Sequence, residues 1–143
     1  TLTPLLPPGV HIAAHNSATT TVVAGDTHAV HTLLTHCAEH HIHARPIPVD
    51  YASHTHHVET LRDTLLDITL TPHPATVPFY STVTGDLLDT TTLTPTYWYD
   101  NLRKPVLYHQ TLHALERDHH THYIETSPHP ILTTPTQETH PDH

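Results

Sequence analysis

A mixed α/β (α+β) fold is predicted by three features of this 143-residue chain. Apolar residues recur with a helical period in three stretches. Short runs rich in β-branched residues stand between them, and the 14 prolines fall mainly in the gaps. The apolar content is low, 36%, but its periodic placement argues against disorder.

Residues 1–9 read as a connector, because Pro4, Pro7 and Pro8 block a helix. Val10–His15 (VHIAAH) and Thr20–Ala24 (TTVVA) read as an antiparallel hairpin turning at Asn16, Ser17 and Ala18. Gly25 stops the second strand, and Asp26 stands where an N-cap belongs. The clearest helix runs from about Thr27 to His41. Its apolar face carries Val30, Leu33, Leu34, Cys37, Ala38 and His41. Ala44–Val49 (ARPIPV) reads as an edge strand, since Pro46 and Pro48 cannot donate to a ladder. A second amphipathic helix is predicted from about His54 to Ile68, with Val58, Leu61, Leu65 and Ile68 on one face. Strand, strand, helix, strand, helix is most of a ferredoxin-like, split β-α-β subdomain over residues 10–70, lacking its start.

Thr71–Ala75 is a Pro-punctuated linker to a second part, residues 71–134. Val77–Val83 reads as a strand, closed by Thr84-Gly85-Asp86 and a return at Leu87-Leu88. Thr94 as N-cap and Pro95 as first helical residue open a short helix that Pro105 ends after Arg103. It presents Tyr97, Trp98 and Tyr99, read as core and interface aromatics. A third amphipathic helix spans about Val106 to Asp118, with His109, Leu112 and Leu115 inward. Tyr123–Glu125 reads as a strand, Ser127–Pro130 as a turn, and Ile131-Leu132 as an apolar anchor. From Thr133 the chain reads as unstructured, with 135–143 a tail or linker.

The net charge of -9, with only 5 Lys and Arg, disfavours nucleic acid, which needs a basic face. No run of 18 apolar residues marks a membrane span, and no signal peptide is visible. The single cysteine, Cys37, excludes an internal disulfide framework and suits a reducing, cytoplasmic setting. No Met occurs, so Thr1 is expected to lie inside a longer protein or to start a processed form.

Five segments, in order, carry a family resemblance. They are Asn16-Ser17 to Gly25-Asp26, the run from Pro48 through Tyr51-Ala52-Ser53-His54, Pro78–Gly85 (PFYSTVTG), Tyr97–Val106 (YWYDNLRKPV) and Glu125–Leu132 (ETSPHPIL). Together they resemble the C-terminal half of the acyltransferase (malonyl/methylmalonyl transacylase) domain of modular type I polyketide synthases, over about residues 9–134. The resemblance implies the incomplete ferredoxin-like subdomain followed by the C-terminal part of an α/β-hydrolase-like large subdomain. It implies transfer of an extender unit from acyl-CoA, through an acyl-serine, to the phosphopantetheine thiol of an acyl carrier protein. No cofactor is implied for this chain itself. The partners implied are acyl-CoA, the carrier protein, the missing N-terminal half of the domain and neighbouring synthase domains. The family's Gly-His-Ser-x-Gly nucleophile run does not occur here, so this chain alone is expected to be inactive.

By motif position, His54 is the implied general base, because a serine hydroxyl needs one at neutral pH. Its orienting backbone carbonyl falls at Asn101. Tyr51, Ala52 and Ser53 are the implied substrate-facing residues. Ser53, where the malonyl-selective pattern has Phe, leaves room for a methyl branch and biases towards methylmalonyl.

His is 20 of 143 residues and Thr is 28. His36 and His40 lie at i, i+4, and His54, His56 and His57 cluster, as do His119, His120 and His122. The Thr excess has no metal logic and accompanies the His, so both read as surface composition, with no metal site expected. Alternatives are a His-rich metal-binding protein, a non-catalytic interaction module, and a fragment of a free-standing malonyl-CoA:acyl carrier protein transacylase.

Overall fold

The computed structural model describes residues 6–140. The expected connector is therefore seen only from residue 6, and the last three residues lie outside the described part. Strands β1 (Val10–His15) and β2 (Thr21–Gly25) form the predicted hairpin, with Val10 opposite Gly25 and Ile12 opposite Val23. The register shifts between Ile12 and Ala14, a bulge that re-aims the strand. Helix α1 (Thr27–Glu39) packs on this hairpin, and Val10, Leu33 and Cys37 form its buried cluster.

Helix α1 ends two residues before the expected boundary, and His41 does not sit on the apolar face. It has φ 55°, and the N–H groups of His41 and Ile42 bond back to the carbonyls of Ala38 and Cys37. This is a Schellman closure with histidine where glycine is usual. The helix that ends at Arg117 closes the same way at His119, φ 65°. His41, expected on an apolar face, and His119, read as composition, are thus both helix terminators.

The strand expected at Ala44–Val49 does not form, and residues 41–51 are exposed throughout. The position beside β1 is taken instead by a residue from the second part. The N–H of Val106 bonds to the Ala13 carbonyl and the N–H of His15 to the Val106 carbonyl, a parallel bridge to Ala14. Pro46 and Pro48 lack donors, so Ala44–Val49 competes poorly for that edge.

The expected long helix after His54 is short and tight. A 3-10 turn (His56–Leu61) precedes α2 (Arg62–Leu66). Only Val58 of its apolar face is buried in these two elements, while Leu61 and Ile68 are exposed.

In the second part, the expected strand Val77–Val83 reduces to β3 (Tyr80–Ser81), paired with β4 (Asp86–Leu87). Gly85 makes the turn at φ 77°. Helix α3 (Pro95–Arg103) starts on the predicted N-cap, Thr94, and α4 (Tyr108–Arg117) follows Pro105. Leu112 of α4 is 1% exposed. The Arg117 guanidinium grips Asp86 at 2.7 Å and Asp118 at 3.2 Å, holding both carboxyls below their usual range. Trp98 is exposed rather than core. Tyr97 is held by Ser81, hydroxyl to hydroxyl at 2.8 Å, and Tyr99 lies 5.9 Å from the Arg62 guanidinium of α2.

Three expectations near the C-terminus are not met. Tyr123–Glu125 makes no strand; the Tyr123 ring stacks on His140 instead, at 5.3 Å. The expected anchor Ile131 is exposed. The region read as unstructured is helix α5 (Thr133–Thr139). Its entry is capped from a distance: the Glu125 carboxylate accepts from the N–H groups of Ile131 and Leu132 at 3.0 and 3.1 Å. Its far end is tied to the hairpin turn, where Glu138 accepts from the hydroxyls of Ser17, Thr19 and Thr20. The Ser17 hydroxyl chiefly holds the Glu138 carboxyl below its usual range. Among the described residues, no helix is long and apolar enough to cross a membrane.

Candidate active site

Helix α3 supplies the frame for His54. Pro105 has no N–H, and Val106 spends its own on β1, so the last carbonyls of α3 need other donors. The His54 backbone N–H bonds to the Leu102 carbonyl at 2.8 Å. The His54 Nδ1 lies 2.7 Å from the Lys104 carbonyl oxygen. Since a carbonyl only accepts, Nδ1 carries the proton in this pair, and in the neutral ring Nε2 keeps its lone pair. His54 itself has φ 61°, a backbone conformation that costs about 1–3 kcal/mol outside glycine and persists only where the surroundings enforce it.

That enforcement is local. Thr55 is fully buried; its hydroxyl donates to the Ala52 carbonyl at 2.7 Å and accepts from the His57 N–H at 3.1 Å. His57 Nε2 meets the Asp26 carboxylate at 2.8 Å. Asp26 is the N-cap residue of α1 as expected, but its side chain makes no cap bond. It clamps the His54 turn instead. His56 packs edge-on against His11.

An open groove of about 540 Å³ runs past His54, walled by Pro8, Gly9, His11, Arg103 and Pro105 among others. Arg103 is held at the wall by Glu59, 3.0 Å away.

The other expected site residues divide. The orienting carbonyl is that of Lys104, not Asn101: residue 104 precedes a proline and is extended (ψ 155°), so its carbonyl projects beyond the helix. Ala52 stands one residue from His54's neighbour and serves the turn through its carbonyl. Tyr51 is 63% exposed, and neither it nor Ala52 nor Ser53 lines the groove. Sequence reasoning missed Lys104, Asp26 and Thr55 as supports. Thr55 carried a readable signal, a threonine before a helical turn, and Lys104 another, a residue before proline. The Asp26–His57 pair joins positions 31 apart and left none.

In this mixed α/β frame, a histidine held by the Lys104 carbonyl stands at the rim of a groove. The chain belongs to the acyl transferase domain family, whose model matches residues 2–142. It is 46% identical over 129 residues to polyketide synthase GfsE of Streptomyces halstedii, covering 89% of this chain and 3% of that protein. It is 41% identical over 131 residues to erythronolide synthase EryA3 of Saccharopolyspora erythraea, covering 90% of this chain and 4% of that one. Among solved structures, the loading acyltransferase of the avermectin modular polyketide synthase matches 99% of the chain at TM-score 0.93 and 33% identity. The acyltransferase domain from module 8 of the salinomycin synthase matches 96% at TM-score 0.89 and 37% identity. The chain spans 47% and 33% of those two structures. The resemblance in the sequence is thereby shown at the level of the polyketide-synthase acyltransferase domain.

Proposed function

We propose that this chain contributes the general base, His54, to an acyltransferase domain of a modular polyketide synthase, which moves an extender unit, methylmalonyl by preference, from coenzyme A to an acyl carrier protein. The single observation that carries the reading is the 2.7 Å bond from His54 Nδ1 to the Lys104 carbonyl. It fixes the ring and leaves Nε2 as the acceptor a nucleophile needs. In this reading Nε2 takes the serine proton as the oxygen attacks the thioester carbon. The C–S bond then breaks, and the proton passes to the departing thiolate. The carrier's phosphopantetheine thiol repeats the step in reverse on the acyl-serine.

The nucleophile comes from a part of the domain outside this chain. Three of the chain's four serines, Ser17, Ser81 and Ser127, have their hydroxyls engaged with Glu138, Tyr97 and Glu125, and the fourth, Ser53, does not line the groove. Residues 10–70 and 71–134 form the two subdomain pieces, and Val106 ties the second to the first through β1. The expected result is that a complete domain forms a covalent acyl adduct from radiolabelled methylmalonyl-CoA, whereas the 143-residue chain does not. An adduct on the chain alone overturns the assignment of the nucleophile elsewhere.

The proposed extender preference rests on the resemblance carried by Tyr51-Ala52-Ser53-His54 and not on the groove, which neither Tyr51 nor Ser53 lines. In the complete domain, Tyr51→His with Ser53→Phe should raise the malonyl-to-methylmalonyl ratio in a competition assay by about tenfold or more, the scale of one methyl group. An unchanged ratio in a folded variant assigns selectivity to other residues.

A further inference from the structure

We propose that His36, Glu39 and His40, at the C-terminal end of α1, form a binding site for a divalent zinc ion, contrary to the sequence expectation of no metal site. One ligand atom from each lies within 4.8 Å of the other two. The spacing i, i+3, i+4 places all three on one helical face. The two imidazole rings already approach to 4.2 Å between centroids, tilted by 47°. Tetrahedral zinc with ligands about 2.1 Å away needs donor atoms about 3.4 Å apart, a rotamer adjustment from the separations present. Two imidazoles and a carboxylate suit zinc's preference for nitrogen and oxygen donors, and three ligands leave the fourth position to water.

Two further features favour a cation at this place. It lies at the negative end of the helix dipole, where the last carbonyls concentrate partial charge. The helix end is also rigidly closed by the His41 Schellman turn, so His40 at the C-cap is held one turn above His36 by backbone bonds rather than by chance. Glu39 neutralises half the ion's charge in a chain that is already acidic at -9. Among the described residues, no side-chain hydrogen bond or ion pair engages Glu39 or His36: His36 and His40 are paired with each other by ring contact, and zinc would replace that contact with two coordinate bonds. The site is independent of the groove and of the reading of His54.

With 20 histidines, total zinc uptake is a poor readout, so the test is site-resolved. Zinc chloride is titrated into the isotope-labelled 143-residue chain at pH 7.5, and backbone amide shifts are followed by NMR. The expected result is a saturating, one-equivalent response centred on residues 36–41. His36→Ala or His40→Ala should weaken it by about tenfold or more, and Glu39→Gln should weaken it while keeping the helix. His28→Ala and His31→Ala, exposed on the same helix, should leave it unchanged. A response spread evenly over the histidines, or equal weakening in the control variants, means adventitious zinc only and overturns the proposal. So does the absence of any response at α1.

Discussion

His54→Ala in the complete domain should slow acyl-enzyme formation by about 10²–10⁴-fold, the usual worth of a positioned general base. The variant loses the ring that the Lys104 carbonyl orients, but keeps the backbone bond from residue 54 to Leu102. Quenched-flow measurement at pH 7 with methylmalonyl-CoA gives the rate. His56→Ala is the internal control, since among the described residues the His56 side chain meets the rings of His11 and His57 and makes no hydrogen bond. From the sequence, His57→Ala would serve as a second control. The 2.8 Å bond to Asp26 changes that expectation. Losing it loosens the turn that holds His54 at φ 61°, so His57→Ala should fall between the other two, and Asp26→Asn should reproduce it. A parental rate for His54→Ala removes it as the base. A loss in His57→Ala as large as in His54→Ala assigns the base to the wrong imidazole.

Leu112→Ala should destabilise the fold by about 2–5 kcal/mol, the range for truncating a fully buried leucine. Leu112 is 1% exposed on α4, which packs against β1, β3, β4 and α5, so truncating it opens a cavity among closely packed elements. Urea denaturation followed by circular dichroism reads the change as a lower midpoint at unchanged slope. A loss below 1 kcal/mol would mean that α4 is not a principal packing element.

The comparison of expected and observed elements follows physical range. The hairpin, α1 and α3 were legible because their signals are local: β-branched runs around a turn, a 3.6-residue apolar period, and Thr94-Pro95 opening a helix. Helix α5 was not, because nothing apolar and periodic marks it. It is held by Glu125 at one end and by Glu138 reaching Ser17 at the other, pairs separated by 7 and 121 residues. The histidines misled for the same reason. Most of the twenty look like composition, yet His119 closes a helix and His57 holds Asp26, and His41, expected on an apolar face, closes α1 instead.

The family, the place of His54 in the Tyr-Ala-Ser-His run, and the hairpin, α1 and α3 are written in the residues alone. These depend on residue identity and on spacing within a turn or two of chain. Which carbonyl orients His54, which residue completes the edge of β1, and what clamps the turn at Thr55 become fixed once the chain has folded. Each of those is settled by which donors are left unpaired once helices end and prolines remove their N–H groups. Val106 takes the edge that Ala44–Val49 was expected to fill because it has a donor free to give, and the Lys104 carbonyl receives the His54 ring because the proline after it leaves that carbonyl projecting beyond the helix.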